Sequence, residues 1–336
     1  MIATSLRLPS MGTPGGCKMN NPFPYSYADK RYHTLNYHLR EKYNQKIFKV
    51  MINAGFTCPN IDGTVKYGGC TFCSTKGSGD FAGSPEDDLK TQFNSVREMM
   101  HQKWPEAGYI AYFQAFSNTH APLEVLKRKY EAVLACDPNI VGLSIGTRPD
   151  CLPDDVVDYL GELNQRVNLW VELGLQSMHD ETGKLINRGH DFQTLVEGVE
   201  KLRKHNIDVI IHIINGLPNE THDMMLETAK AVANLDVQGI KIHLLHVIEG
   251  TPMHKMLDKG MLKLMEKDEY IDLVVDQLEL LPPEMVIHRL TGDAVREELV
   301  GPMWSLKKWE VLNAIDDRLK ERNTYQGRLY QKKEAK

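Results

Sequence analysis

No stretch of this 336-residue chain approaches the roughly 18 uninterrupted apolar positions that a membrane-spanning helix needs, and the most apolar run, 209–214, contains His212. Arg7 stands near the start, but no apolar segment of signal-peptide length follows it, which argues against secretion. Cysteine is scarce, six residues in all. In the reducing, cytoplasmic setting that these absences imply, such thiols serve as metal ligands or ordinary core residues and not as disulfides. There is also no low-complexity tract, no Gly/Ser-rich linker and no repeat beyond the βα unit, which excludes a string of independent modules. With 42% hydrophobic and 25% charged positions, the composition predicts a large buried core in one large domain or two small ones.

A strong excess of one charge sign is missing too, since the formal net charge is only −5. Its distribution is uneven. Residues 1–50 carry eight Lys/Arg against two Asp/Glu and residues 304–336 carry nine against five, leaving the middle at −15. An acidic body argues against a chain built wholly to bind nucleic acid, while basic ends suit either a phosphate grip or plain solvated termini. Residues 1–18 are poor in periodic apolar positions and rich in Gly and Pro, and disorder is expected there. Gly15, Gly16, Cys17 and Lys18 directly precede Met19, where translation is expected to begin.

What the chain does have is alternation. β-branched apolar runs at 47–53, 109–116, 140–146, 169–175, 209–214 and 240–246 alternate with helical patterns at 85–103, 122–135, 153–163, 192–204 and 221–234. This is the pattern of βαβ units on a parallel sheet. Several helices have a proline or capping residue at the start, among them Ser84-Pro85, Leu152-Pro153 and Thr221. The result is an α/β fold, a barrel or an open doubly wound sheet, over 46–254. A basic extension at 19–45 precedes it, and a helical extension at 255–336 follows, with helices at 267–281 and 306–322 and a seventh strand at 286–290. The chemistry-bearing residues fall just after the strand ends, the edge on which parallel α/β folds place their ligands.

The sharpest signal is a loop after the first strand in which Cys58, Cys70 and Cys73 are spaced C-x11-C-x2-C among Gly, Pro, Asn and Asp. Thiolates at such spacing hold soft metals or iron–sulfur clusters. Structural zinc normally takes four ligands, often from two Cys-x-x-Cys pairs, whereas only one pair is present and no His lies in the loop. A thioredoxin-like dithiol would open a helix directly after a strand, which Cys70 and Cys73 do not. Three cysteines on a four-iron cluster leave one iron open. Cys17, Cys136 and Cys151 read as inert.

With Phe72 just before its last cysteine, this loop resembles the radical S-adenosylmethionine (SAM) superfamily, in the branch with an expanded first spacing. That branch includes the Elongator catalytic subunit and a group of bacterial proteins of about this length. The similarity runs on through SIGTRPDCL (144–152), VELGLQS (171–177), NRGH (187–190) and NGLPNE (215–220). The resemblance implies a partial (β/α)6 TIM-like barrel and a [4Fe-4S] cluster on Cys58, Cys70 and Cys73. It also implies SAM bound at the open iron and cleaved by one electron, from a donor such as flavodoxin or ferredoxin, to a 5′-deoxyadenosyl radical.

By the same resemblance Phe72, Gln114 and Ser117 lie against SAM, although a Gly-Gly-Glu run found in many relatives is replaced at 114–117. Gln176 would bond the ribose, Arg188 the methionine carboxylate through its planar fork, and Asn215 and Gly216 the adenine. Glu172 shares a strand face with Gln176 and, once buried, needs a ligand or an interior cation. Lys241 and His243 share a face, while His243 and His246 should point to opposite ones. The bacterial group is linked to the wobble uridine of transfer RNA, which implies RNA as partner and conversion of a carboxymethylaminomethyl group to aminomethyl. A small molecule within the barrel, or a zinc-stabilised binding module, are the alternative readings. For RNA, Lys307, Lys308, Arg318 and Arg322 are the expected phosphate contacts, interleaved with Trp304, Trp309, Tyr325 and Tyr330; both tryptophans are expected to pack into the core.

Overall fold

The fold was analysed in a computed structural model that describes residues 21–27, 29–77, 82–102 and 104–332. Residues 1–18, with Cys17, lie outside them. In chain order the elements are α1 (Leu35–Tyr43), β1 (Ile47–Ile52), α2 (Leu89–His101), β2 (Gly108–Phe113), α3 (Leu123–Leu134), β3 (Ile140–Thr147), α4 (Asp154–Asn164) and β4 (Asn168–Gln176). There follow α5 (Asp180–Leu185), α6 (Phe192–Lys204), β5 (Asp208–Asn215), α7 (His222–Ala233), β6 (Gly239–Leu244), β7 (Val247–Ile248), α8 (Pro252–Asp258), α9 (Lys267–Leu280), β8 (Val286–Arg289), β9 (Leu299–Gly301) and α10 (Lys308–Glu321). No described helix is long and apolar enough to cross a membrane.

Seven strands pair in parallel in the order β1-β2-β3-β4-β5-β6-β8, the six βα units of the expected barrel followed by the seventh strand expected at 286–290. Sequential order means that each crossover advances one place, so the sheet curls into an open half-barrel. Its outer face carries Ile52, Phe113, Ile145, Leu173, Ile211 and Ile242, packed against Leu126, Tyr130, Leu160, Leu202 and Val232 of the surrounding helices. All of these are at most 1% exposed, so truncating one of the leucines to Ala would cost about 2–5 kcal/mol.

The inner face is layered, because side chains alternate along each strand. Ile47, Ile110, Trp170 and Ile210 form an apolar floor with Leu39 of α1. Two residues further along the same strands come Lys49, Tyr112, Glu172 and His212, a polar middle layer. Next come Met51, Gln114, Gly174 and Ile214, which line an open cavity. α1 touches both β1 and β8 and so spans the open seam, where Thr34 bridges Ile287. The chain ends meet there: Ile287 N–H donates to His33 O (2.8 Å) and Gln326 N–H to Arg31 O (2.9 Å). α9 packs on α7 and α10.

Three boundaries differ from expectation. α2 begins after Asp88, whose carboxylate accepts from Thr91 N–H (2.8 Å), and not at Ser84-Pro85; a carboxylate caps the first turn and complements the helix dipole. β2 stops at Phe113, shortly before Ala115 and Phe116, whose φ of 80° and 59° lie outside the extended region in which a strand continues. β6 stops at Leu244, so strand alternation does not govern His246.

Candidate active site

The cysteine loop is held by its own backbone and by a turn 130 residues away in the chain. Cys58 O accepts from Ile61 N–H (2.7 Å) and Asp62 N–H (3.0 Å), and Asn60 O accepts from Gly69 N–H (2.8 Å). The wholly buried Asn60 amide donates to Asn187 O (2.6 Å) and Arg188 O (2.9 Å). In return Asn187 donates to Gly69 O (2.7 Å), and Thr71 N–H donates to Ile186 O (3.0 Å). Gly189 makes this docking possible: its φ is 84° and a Cβ would lie 2.5 Å from Asn60 Oδ1.

Cys58, Cys70 and Cys73 are half-exposed and all line a cavity of about 700 Å³ at the strand C-termini. The Cys70 thiol is lowered to about 7, chiefly by a hydrogen bond with Cys73, which together with Arg148, Asn60 and Arg188 outweighs burial. Burial instead pushes the Cys151 thiol up to about 12. Among the described residues, no group of three or more His, Cys, Asp or Glu is gathered to hold a single metal ion. The donor set is three cavity-facing thiols, with the Arg148 and Arg188 cations acting on Cys70. It fits a cluster with one iron left open.

Around the cavity the expected residues divide. Phe72, Gln114, Ser117 and Gln176 all line it. The two left-handed residues after β2 aim this loop inward, and conformations of this kind cost about 1–3 kcal/mol each. The loop is pinned by Ser117 N–H donating to Thr57 O (3.1 Å) and by Asn118 donating to Gly146 O (2.7 Å).

Arg188 is a correction. It is 1% exposed, and its Nε, Nη1 and Nη2 end on His190 O (2.8 Å), Leu175 O (2.8 Å) and Asp180 (3.0 Å). The fork ties β4 to the 187–190 turn and is not open for a bidentate grip on a carboxylate. Arg148, which sequence reasoning passed over, is likewise spent on Asp150 (2.9 and 2.7 Å) and Arg188 O (2.7 Å).

Glu172 meets interior cations instead of a ligand. Its oxygens accept from Lys49 (2.6 Å), Ser144 (2.6 Å), His212 (2.8 Å) and Lys241. Burial alone would raise this carboxyl, but the Lys241 and Lys49 ammonium groups and His212 hold it well below the usual range. The ammonium groups also face π-systems: Lys241 lies 4.5 Å and Lys49 4.6 Å from the Tyr112 centroid. Burial lowers Lys241 to about 7 despite Glu172.

Asn215 and Gly216 do not reach the cavity. Asn215 forms a buried reciprocal amide pair with Gln277 (2.8 and 2.9 Å), and Gly216 N–H meets Met225 Sδ (3.2 Å). His243 and His246, expected on opposite faces, both line the cavity. The expected phosphate contacts are already paired: Lys307 with Glu310 (3.0 Å), Lys308 with Asp293 (2.7 Å), Arg318 with Asp272, and Arg322 with Asp272 and Asp276 (2.6 Å for the latter). Trp304 packs on the core and donates to Met265 O (3.0 Å), whereas Trp309 is 76% exposed.

Residues 67–232 match the radical SAM superfamily and residues 237–321 match its C-terminal domain. YtqA of Bacillus subtilis is 64% identical over 315 residues, 94% of this chain and 98% of that protein. The chain belongs to the radical SAM superfamily. It is therefore a radical SAM enzyme, with a [4Fe-4S] cluster and SAM as cofactors. A Methanocaldococcus infernus protein named tRNA uridine(34) acetyltransferase is 30% identical over 159 residues, 46% of this chain and 29% of that protein. Among solved structures, Elp3 from the same archaeon superposes with a TM-score of 0.64 at 16% identity, covering 84% of this chain and 64% of that one. The chain thus spans under two-thirds of that structure and under a third of the acetyltransferase.

Proposed function

We propose that this radical SAM enzyme modifies the 5-substituent of the wobble uridine in transfer RNA, converting carboxymethylaminomethyl to aminomethyl. The observation that carries this reading is the sequence similarity, within the barrel, to a protein named for uridine 34 of transfer RNA. When bound, the cluster and SAM supply a one-electron cleavage that yields a 5′-deoxyadenosyl radical. Cys58, Cys70 and Cys73 would hold the cluster. Phe72, Gln114, Ser117 and Gln176 would line the SAM site, and the half-barrel wall would exclude water from the radical. A reductant of the flavodoxin or ferredoxin class would deliver the electron.

The paired state of Lys307, Lys308, Arg318 and Arg322 favours one other reading, a small molecule enclosed in the same cavity. Nucleoside profiling of transfer RNA from a strain lacking the gene separates the two. Accumulation of the carboxymethylaminomethyl nucleoside at the expense of the aminomethyl form is expected, with reversal by the wild-type gene. An unchanged profile, or one unchanged by complementation with the Cys73→Ala variant relative to wild type, would overturn the RNA reading.

A further inference from the structure

Five cations line the cavity, Arg148, Arg188, Lys241, Arg289 and Lys308, against two carboxylates, Glu172 and Asp293. The two arginines nearest the cysteines are matched by Asp150 and Asp180. On the β6–β8 side the account does not balance. Glu172 faces both Lys241 and Lys49. Asp293 is shared by Arg289 (3.3 Å) and Lys308 (2.7 Å), neither of which meets another carboxylate among the described residues. On the cavity wall itself three cationic side chains, Lys241, Arg289 and Lys308, therefore share two carboxylates, Glu172 and Asp293. Arg289 and Lys308 share one carboxylate and keep about a third of their side chains exposed (34% and 35%), so an entering anion can reach them.

A second observation points to the same place. The Nε2 atoms of His243 and His246 are buried and have no hydrogen-bond partner. Both rings crowd Gly292, where a Cβ would lie 3.1 Å from His246 and 3.7 Å from His243. Burial keeps these imidazoles neutral, His246 being lowered to about 4, so an N–H that each would present on turning its ring adds no charge.

We propose that Arg289, Lys308 and Lys241, with His243 and His246, form an oxyanion subsite that receives a carboxylate or phosphate carried by the second substrate and not by SAM. Arg289 offers a planar fork suited to either group. On the reading given under Proposed function, on which this identification of the ligand rests, the oxyanion is the carboxylate of the carboxymethylaminomethyl group. The subsite then explains how the enzyme selects that substrate over its aminomethyl product.

The test uses reconstituted enzyme with SAM and anticodon stem-loops carrying either 5-carboxymethylaminomethyluridine or 5-aminomethyluridine. The wild type should hold the former at least tenfold more tightly. Arg289→Gln should reduce that preference to under threefold while SAM affinity stays within twofold, and Lys308→Gln should act in the same direction. Equal affinity of the wild type for the two stem-loops would overturn the subsite and leave the RNA reading standing. Loss of SAM affinity in Arg289→Gln as large as the loss of stem-loop affinity would also overturn it, by giving the site to the methionine carboxylate. Iminodiacetate and inorganic phosphate serve as probes that do not depend on RNA. Binding of either one, weakened tenfold by Arg289→Gln, supports the subsite even if neither stem-loop binds, and a preference between the two probes identifies the oxyanion. Failure of both probes and both stem-loops overturns it.

Discussion

Replacing Glu172 by Gln removes the carboxylate on which Lys49, Lys241, His212 and Ser144 converge while keeping its shape. The variant leaves two ammonium groups inside the barrel with no counter-charge. Breaking a buried pair from one side costs about 3–5 kcal/mol, which for a chain of this size corresponds to a fall of about 4–7 °C in Tm. The pH dependence has a definite sign. Lys241 is lowered from 10.5 to about 7, by burial first and by Lys49 and Arg289 next. Between those pH values the unfolded chain therefore binds the proton that the folded chain has released. Stability from this group accordingly rises with pH across that window and is lost as pH falls toward 7. In Glu172→Gln the folded lysine gives up its proton even more readily, so the part of the deficit due to Lys241 should be flat from about pH 8 to 10, where the lysine is neutral in both folded forms, and should grow as pH falls through 7. Adding Lys241→Met should recover part of the loss, since the two residues are coupled. The assay is urea unfolding of the apoprotein at several pH values. A deficit below 1 kcal/mol at pH 7, or one that grows with pH, would refute the charge-balance reasoning.

Alanine at Cys58, Cys70 or Cys73 should abolish iron loading in anaerobic reconstitution, while Cys136→Ala and Cys151→Ala retain full iron content; a full cluster in any of the first three would refute the ligand assignment. Asn60→Ala should destabilise the apoprotein by about 1–3 kcal/mol, because Asn187 O loses its side-chain donor while Arg188 O keeps only Arg148, and should speed iron loss to a chelator; chelation at the wild-type rate would show that the 187–190 turn does not steady the loop. Reversing Lys307, Arg318 and Arg322 to Glu, with Lys308 left in place beside Arg289, sets new carboxylates against Asp272, Asp276 and Glu310. A loss of about 1–4 kcal/mol in unfolding free energy is expected, on the basis of roughly 0.2–1 kcal/mol per exposed pair, with no selective flattening of the salt dependence of RNA binding; a flattened slope at unchanged stability would restore these residues as phosphate contacts.

The strands were legible because their period and composition are local properties: 140–146 and 169–175 were each expected within two residues of β3 and β4. The cysteine loop was legible because its spacing is itself local. Boundaries failed where a single residue decided them. Asp88 outcompeted Ser84-Pro85 as a cap, and β2 ended shortly before left-handed Ala115 and Phe116, although nothing in their side chains announces φ above zero.

The residues misjudged at the site share one cause. A motif shows which side chains recur but not whether their hydrogen-bonding capacity is already used within the chain. NRGH (187–190) stands out as a functional signature, yet Arg188 spends its fork on His190 O, Leu175 O and Asp180, while Asn187 and Gly189 seat Asn60. The motif's contribution is to fix the position of the cysteine loop, one step removed from any ligand. Asn60 was invisible for the converse reason: it lies in a loop whose cysteines drew the attention, and its partners are 127 and 128 residues away. The basic C-terminal segment repeats the lesson at the surface. Its excess of positive charge is real in the sequence, but α10 lays Arg318 and Arg322 against Asp272 and Asp276 of α9. Charge counted along a chain predicts a field only after the fold has shown which opposite charges it meets. By that standard the cations that outnumber the carboxylates they meet are those at the barrel mouth, Lys241, Arg289 and Lys308 beside His243 and His246, and the subsite proposed for an anionic substrate group lies there.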